Sequence, residues 1–272
     1  MFKIITTGYF YADGGAMFGA VPKTAWSRSY RANERNLCVL AMHAGVIATG
    51  DGHVIVVDPG VGQANLNGSP AIFYQFHDTA DICDGLQQAG IRPEKVTDVV
   101  LTHLHFDHCG AAVGRDGKPV FGNATHWVSR KQYENERNPH PLEAGSFLPG
   151  NTDIIEKAGL LRLIEATAQP FDSLRMQLYD GHTAGQIAAF VKADGKTVVF
   201  PGDIIPLASH VVPERISAYD LHPTLSYDGK VEILEKAARD GCVTVFFHDA
   251  YTPLATVRKA GASYKTGDAA GS

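Results

Sequence analysis

The chain of 272 residues predicts an α/β protein in which two β-sheets lie between helices. Three observations carry that expectation. Short runs rich in Val and Ile, bounded by Gly, Pro and Asp, recur along the chain as strands do. Helical patterns interrupt them in two roughly repeated β-then-α halves, each with an apolar face to bury. Polar groups able to bind a metal stand just past the apolar runs, where strand ends converge.

In chain order, Phe2 to Thr7 reads as an edge strand. It leads into an arm at about 9–35, where Gly14, Gly15, Gly19 and Pro22 interrupt any regular period. Met17, Phe18 and Trp26 are expected to form an apolar wall there. Leu37 to Ala41, Val46 to Thr49 and Val54 to Asp58 read as three strands, separated by His43-Ala44-Gly45 and by Gly50-Asp51-Gly52, a hairpin signal. Asp58 closes the third strand before Pro59-Gly60. A carboxylate there can make a turn, or it can hold a ligand histidine in one tautomer; the second role is favoured. Ile82, Leu86 and Ala89 share a helical face within Asp78 to Gly90.

The strand ending in Val99-Val100-Leu101 delivers Thr102-His103-Leu104-His105-Phe106-Asp107-His108, three imidazoles and a carboxylate within six positions. Imidazole nitrogen with carboxylate oxygen is a ligand set for zinc and other divalent metals. Residues two apart on an extended chain share a face, which places His103 and His105 together. Asp107 and His108 then face a second position.

Beyond the motif, a strand near Thr125 to Val128 precedes a polar helix from about Ser129 to Glu136. Asn138 to Gly150 reads as loop and Asn151 to Gly159 as helix. Strands follow at Leu160 to Ile164, Ser173 to Tyr179, Ile187 to Lys192 and Thr197 to Phe200, then a helix at Asp228 to Asp240 and a strand at Val243 to Phe247. The tail at about 258–272 is small and polar and is expected to be mobile. Three further polar groups follow strands: His182 in Asp180-Gly181-His182-Thr183, Asp203 after Val198 to Phe200, and His248 after Val245-Phe246-Phe247.

Composition narrows the function. The apolar fraction is 44%, the charged fraction 19% and the formal charge −5. These are the proportions of a globular protein, and without a basic cluster they argue against a nucleic-acid partner. Neither a membrane span nor the apolar core of an export signal is seen, so a cytoplasmic location is expected, with a removed signal left open. No clean linker divides the chain, so residues 1–272 are taken as one domain. Cys38, Cys83, Cys109 and Cys242 lack metal spacing and read as buried thiols. His43, His53, His77, His126, His140 and His222 lack strand-end partners and are left out of the site, while His210 is a candidate for the pocket.

The combination HLHFDH, then GHT, then GD, then a late histidine resembles the metallo-β-lactamase superfamily over about residues 36–250. That resemblance implies a four-layer αβ/βα sandwich, two mixed sheets flanked by helices, with metals at one edge of the sheets. It implies one ion on His103, His105 and His182, and a second on Asp107, His108 and His248, with Asp203 bridging. The cofactors expected are two divalent ions, zinc first among them, and a hydroxide bridging them as nucleophile. Asp107 or Asp203 would receive the proton. The arm, with Pro201-Gly202-Asp203-Ile204-Ile205-Pro206-Leu207-Ala208-Ser209-His210, is similar to the branch of quorum-quenching N-acyl-homoserine lactonases and methyl parathion hydrolase. The expected activity is therefore hydrolysis of lactones, with phosphotriester or aryl ester hydrolysis as the alternative. Here Ile204 follows Asp203 where several such lactonases carry a substrate-contacting tyrosine, so that contact must come from elsewhere. The pocket expected from the sequence comprises Met17, Phe18, Trp26, Phe106 and His210. No arginine flanks the metal motif, which favours a small neutral ester or lactone as partner. No membrane partner is expected, and a homodimer stays open.

Overall fold

In the computed structural model, which describes residues 1–67 and 69–267, thirteen strands form two sheets that the chain builds one after the other. β1 (Phe2–Asp13), β2 (Leu37–Ala48), β3 (Val54–Val57), β4 (Asp98–Val100), β5 (Thr125–Ser129) and β6 (Leu161–Ile164) lie side by side in that order. The first three are antiparallel and the last four parallel, so the sheet is mixed. β7 (Ala168–Phe171), β8 (Leu174–Tyr179), β9 (Gln186–Ala193), β10 (Lys196–Phe200), β11 (Val243–Val245), β12 (Leu254–Ala260) and β13 (Ser263–Thr266) form the second sheet, also in sequential order. Only β10 and β11 run parallel there, bridged by the long crossover between them.

Among the described residues there are eight α-helices: α1 (Gly14–Phe18), α2 (Lys23–Trp26), α3 (Ser69–Tyr74), α4 (Ile82–Gln88), α5 (Phe106–Cys109), α6 (Arg130–Arg137), α7 (Asn151–Lys157) and α8 (Pro223–Asp240). Burial on both faces of the sheets sorts them into layers. Along β3, Ile55 and Val57 face the second sheet, while Val56 packs with Ile82 and Leu86 of α4. Along β9, Ile187, Ala189 and Val191 meet the first sheet, while Ala188 and Phe190 face Ile233 and Leu234 of α8. Strand side chains alternate with period two, so a strand that is apolar at every position must be covered twice. The result is helix, sheet, sheet, helix, the expected sandwich. None of the described helices is long and apolar enough to cross a membrane.

Several elements differ from the sequence reading. β1 runs on to Asp13, pairing with β2 as far as Leu37 across a register shift between Thr6 and Gly8, so the arm begins as strand. The segment His43-Ala44-Gly45 is not a break but the middle of β2. Gly45 is there because a Cβ would stand 2.1 Å from the Phe200 ring of the facing sheet. β4 ends at Val100, so His103 and His105 sit on the loop beyond it rather than on the strand. β7 was not foreseen, and α8 starts at Pro223, five residues before the helical period becomes visible in the sequence. Of the tail expected from about residue 258, residues 258–260 complete β12 and Ser263–Thr266 form β13. There, β12 pairs with β11 on one side and β13 on the other, and Val257 and Tyr264 are buried. Residues 268–272 of that expectation lie outside the described residues.

Candidate metal centre

The loop after β4 is shaped by Asp58, at the end of β3. One carboxylate oxygen of Asp58 accepts the Thr102 backbone N–H at 2.7 Å, and the other accepts the Thr102 hydroxyl at 2.6 Å. The second oxygen also lies 2.9 Å from Nδ1 of His108. Asp58 adopts φ +49°, in the left-handed region, where Asp and Asn are the side chains best tolerated after glycine. His105 caps α5, a single turn that carries Asp107 and His108. The change from extended chain to helix at His105 is what separates the two pairs of groups.

The second sheet supplies the rest. His182 follows β8 through Gly181, where φ is +149° and a Cβ would lie 2.6 Å from the backbone of α8. Asp203 follows β10 on a short turn, and His248 follows β11. Three groups of metal-binding atoms, each within 4.8 Å, result: His103, His105 and His182; His103, His108 and Asp203; Asp107, His108 and His248. Asp203 reaches both sides, with Oδ1 3.2 Å from His108 Nε2 and Oδ2 3.2 Å from His248 Nε2 and 3.6 Å from His182 Nε2.

The outer nitrogens fix the tautomers. Nδ1 of His108 faces the Asp58 carboxylate, Nδ1 of His182 faces Asp220 at 3.0 Å, and Nδ1 of His248 faces the Ala41 carbonyl at 2.9 Å. Each of those partners only accepts, so each Nδ1 carries the hydrogen. His103 Nδ1 meets the Thr102 hydroxyl at 3.1 Å, whose own proton goes to Asp58. His105 is turned round: its Nε2 faces Glu143 at 3.4 Å, leaving Nδ1 inward. In their neutral forms, all five imidazoles therefore direct a lone pair at the centre. His105 Nδ1 lies 3.2 Å from His182 Nε2, and His108 Nε2 lies 3.2 Å from His248 Nε2. Two lone pairs at that distance repel unless a proton or a cation lies with them. His103 Nε2, fully buried, has no hydrogen-bond partner. The donor set thus fits divalent cations, with four imidazoles offering Nε2 and one Nδ1.

The protonation preferences of the isolated residues agree. Burial, reinforced by the neighbouring His108 and His105, holds His103 well below the usual histidine range. Burial pulls His108 the same way, but Asp203, Asp107 and Asp58 outweigh it and hold the ring well above. Burial would raise Asp203, yet His248 and His108 keep it well below the ordinary carboxylate range. A proton shared here stands where a cation would, so metal uptake must release protons.

A cavity of about 230 Å³ opens onto the centre. Met17, Phe10, Leu40, Phe106 and Leu142 supply apolar wall; Asp107, Asp203, Glu143 and Asp220 supply carboxylates; among the described residues no lysine or arginine lines it. Of the residues expected in a pocket, Met17 and Phe106 line this cavity. Phe18, Trp26 and His210 do not reach the cavity, a correction to the expected wall. Phe18 stacks on Trp26 at 4.8 Å and on His210 at 5.0 Å, all three buried, and His210 Nε2 bonds the Met17 carbonyl at 2.9 Å. This triple layer packs behind Met17 and holds it forward. Residues missed in the sequence are Glu143, Asp220, Tyr74 and Tyr219. They come from loops and a short helix whose local pattern shows no strand end, so nothing nearby in the sequence points to them. Cys109 bonds the Leu104 carbonyl at 3.3 Å, and burial pushes its thiol well up, which makes it packing rather than a reactive group.

The layered fold and the convergent imidazoles define a metallo-β-lactamase-type chain, and comparison with protein families agrees: the family described as "Metallo-beta-lactamase superfamily" matches residues 41–248. The chain belongs to that superfamily. Among curated relatives, it is 27% identical over 173 residues to N-acyl homoserine lactonase AiiB of Agrobacterium fabrum, covering 60% of each chain. It is 32% identical over 109 residues to AttM of the same organism, covering 40% of this chain and 38% of that one. The matched parts therefore span less than two thirds of those relatives. Among solved structures, a probable metal-dependent hydrolase from Staphylococcus aureus superposes with a TM-score of 0.89 at 27% identity, covering 98% of this chain and 97% of the other. AidC, a dizinc quorum-quenching lactonase, superposes at 0.79 and 19% identity, covering 97% and 92%.

Proposed function

We propose that the protein is a dinuclear metal-dependent hydrolase that opens lactones of the N-acyl-homoserine type. The observation that carries the metal reading is the convergence of five inward lone pairs with two carboxylates on one buried point. His103, His105 and His182 would hold one ion, and Asp107, His108 and His248 the other, with Asp203 between them. When bound, two such cations, zinc first among the candidates, lower the pKa of water and polarise a carbonyl.

The chain's own groups do the rest. Asp107 and Asp203 both line the cavity, so either can take a proton beside the reacting carbonyl. Tyr74 and Tyr219 line the cavity wall, and burial raises both phenols above their usual range. They stay protonated at neutral pH, so either hydroxyl can donate to a substrate oxygen. That would supply the contact that Ile204 cannot make. With an apolar wall and, among the described residues, no lysine or arginine to clamp an anionic group, the cavity suits a neutral substrate with an apolar arm. The similarity to N-acyl homoserine lactonases supports the lactone within that class.

The test is metal analysis of the purified protein with a rate panel. Two equivalents of metal are expected. kcat/KM for a medium-chain acyl-homoserine lactone should exceed that for an aryl phosphotriester at least about tenfold, roughly 1.4 kcal/mol in transition-state binding. A panel won by the phosphotriester would retire the lactone and leave the metal centre standing.

A further inference from the structure

α6 lies outside the cavity and carries no group able to bind an ion at the centre, yet it presents two amides to the loops that do. Gln132 is fully buried. Its Oε1 accepts the backbone N–H of Leu104, between His103 and His105, at 3.0 Å. Its Nε2 donates to the Thr183 hydroxyl at 2.8 Å and to the Ala184 carbonyl at 2.6 Å, directly after His182. One side chain therefore ties the loop of the first sheet to the loop of the second. Asn135, three residues on and so on the same helical face, donates to Glu143 Oε1 at 2.8 Å and to Thr183 at 3.2 Å. The Thr183 hydroxyl donates to Glu143 Oε2 at 2.8 Å, and that same oxygen faces His105 Nε2. The amides, the hydroxyl and the carboxylate form one closed network, and it ends on the ring that must present Nδ1.

We propose that Gln132, with Thr183, Glu143 and Asn135, is a positioning clamp for one of the two ions only, the one assigned to His103, His105 and His182. The inference rests on the two-ion reading above. Its selectivity comes from the partners: the network touches the loops of His103, His105 and His182. Asp107, His108, Asp203 and His248 are oriented by other means, Asp58 and the Ala41 carbonyl among them. Glu143 matters twice, since a carboxylate behind a ligating imidazole fixes its orientation and raises its basicity. Every member of the network is paired, and a buried polar network in that state specifies one arrangement of its parts.

The experiment is a chelator-competition titration of zinc into metal-stripped protein, with ring-nitrogen NMR to show which histidines respond at each step. Gln132→Met keeps the length of the side chain and removes both polar ends. It should weaken the ion that shifts His105 and His182 by about 10–100-fold, the range for loss of an outer partner, and the other ion less than about threefold. Thr183→Val should reproduce the selective loss and Thr183→Ser should restore affinity, so the test survives if Gln132→Met does not fold. Equal weakening of both ions, or unchanged affinities with only a lower melting temperature, would overturn the clamp. A wild-type protein that saturates below two equivalents would instead sink the dinuclear reading, and the clamp with it.

Discussion

Asp58→Asn isolates the tautomer of one ligand with little other disturbance. The carboxylate receives three donors, the Thr102 N–H, the Thr102 hydroxyl and His108 Nδ1. Asn keeps the shape, and at φ +49° it tolerates the backbone about as well as Asp does. An amide must, however, turn an NH2 toward one of those donors. If it faces His108, the ring does best by moving its hydrogen to Nε2, where the inward lone pair was. If it faces the Thr102 N–H, the loop of His103 loses its anchor. Either way, a charge-assisted bond worth about 1.5–3 kcal/mol becomes a neutral one of about 0.5–1.5. Metal affinity at the His108 position should fall about 10–100-fold, which is about 1.4–2.7 kcal/mol. Zinc competition on metal-stripped protein gives the constant, and ring-nitrogen NMR reports the His108 tautomer directly. An affinity within twofold of the wild type, with the His108 hydrogen still on Nδ1, would refute the reasoning.

Three more outcomes are expected. Asp203→Asn should lower metal content and turnover together, whereas His210→Ala should leave metal content intact; equal loss of activity at full metal occupancy in both variants would contradict the bridging role. Phe18→Ala, which empties the middle of the stack on Trp26 and His210, should cost about 3–5 kcal/mol of stability. It should change KM alike for short and long acyl chains, and a selective rise for long chains would put Phe18 in the cavity after all. Lys230 is 1% exposed; burial lowers its ammonium to about 8 from 10.5, with its Nζ bonded to the Arg215 carbonyl at 2.5 Å. Because the folded value lies below the unfolded one, the penalty is full below pH 8 and fades as pH rises to about 10.5. Denaturant titrations should show a gain of about 3 kcal/mol across that window, absent in Lys230→Met; the same gain in the variant would assign it to other groups.

The sequence made the central groups visible because they follow apolar runs. His103, His105, Asp107 and His108 sit within six positions of one another, and His182, Asp203 and His248 each come just after a strand, so local pattern alone collects them. Asp58 was legible for the same reason. Glu143 and Asp220 were not, since each lies in a segment rich in Pro, Ser or Gly, and its importance comes from a histidine 38 residues away. Gly45 misled because a glycine that makes room for Phe200 looks the same in sequence as one that makes a turn. Phe18 and Trp26 look like wall in sequence because an apolar residue in a glycine-rich arm can face a cavity or hide behind it. Only the packing on His210 decides which.

The chain finishes one sheet at Ile164 and begins the other at Ala168, and each of the three convergent groups draws on both sides of that divide. His103, His105, Asp107 and His108 belong to the first half; His182, Asp203 and His248 to the second. Neither half alone holds a complete set for any of the three groups. An ion held there would act as a rivet between two pieces of one polypeptide, joining parts that are otherwise pressed together mainly by Ile55, Val57, Ile187 and their neighbours. Each tenfold rise in free metal above the dissociation constant would then add about 1.4 kcal/mol per ion to the resistance against unfolding. Starvation for metal would loosen the seam as well as silence the chemistry, making the protein's persistence in a cell a readout of metal supply.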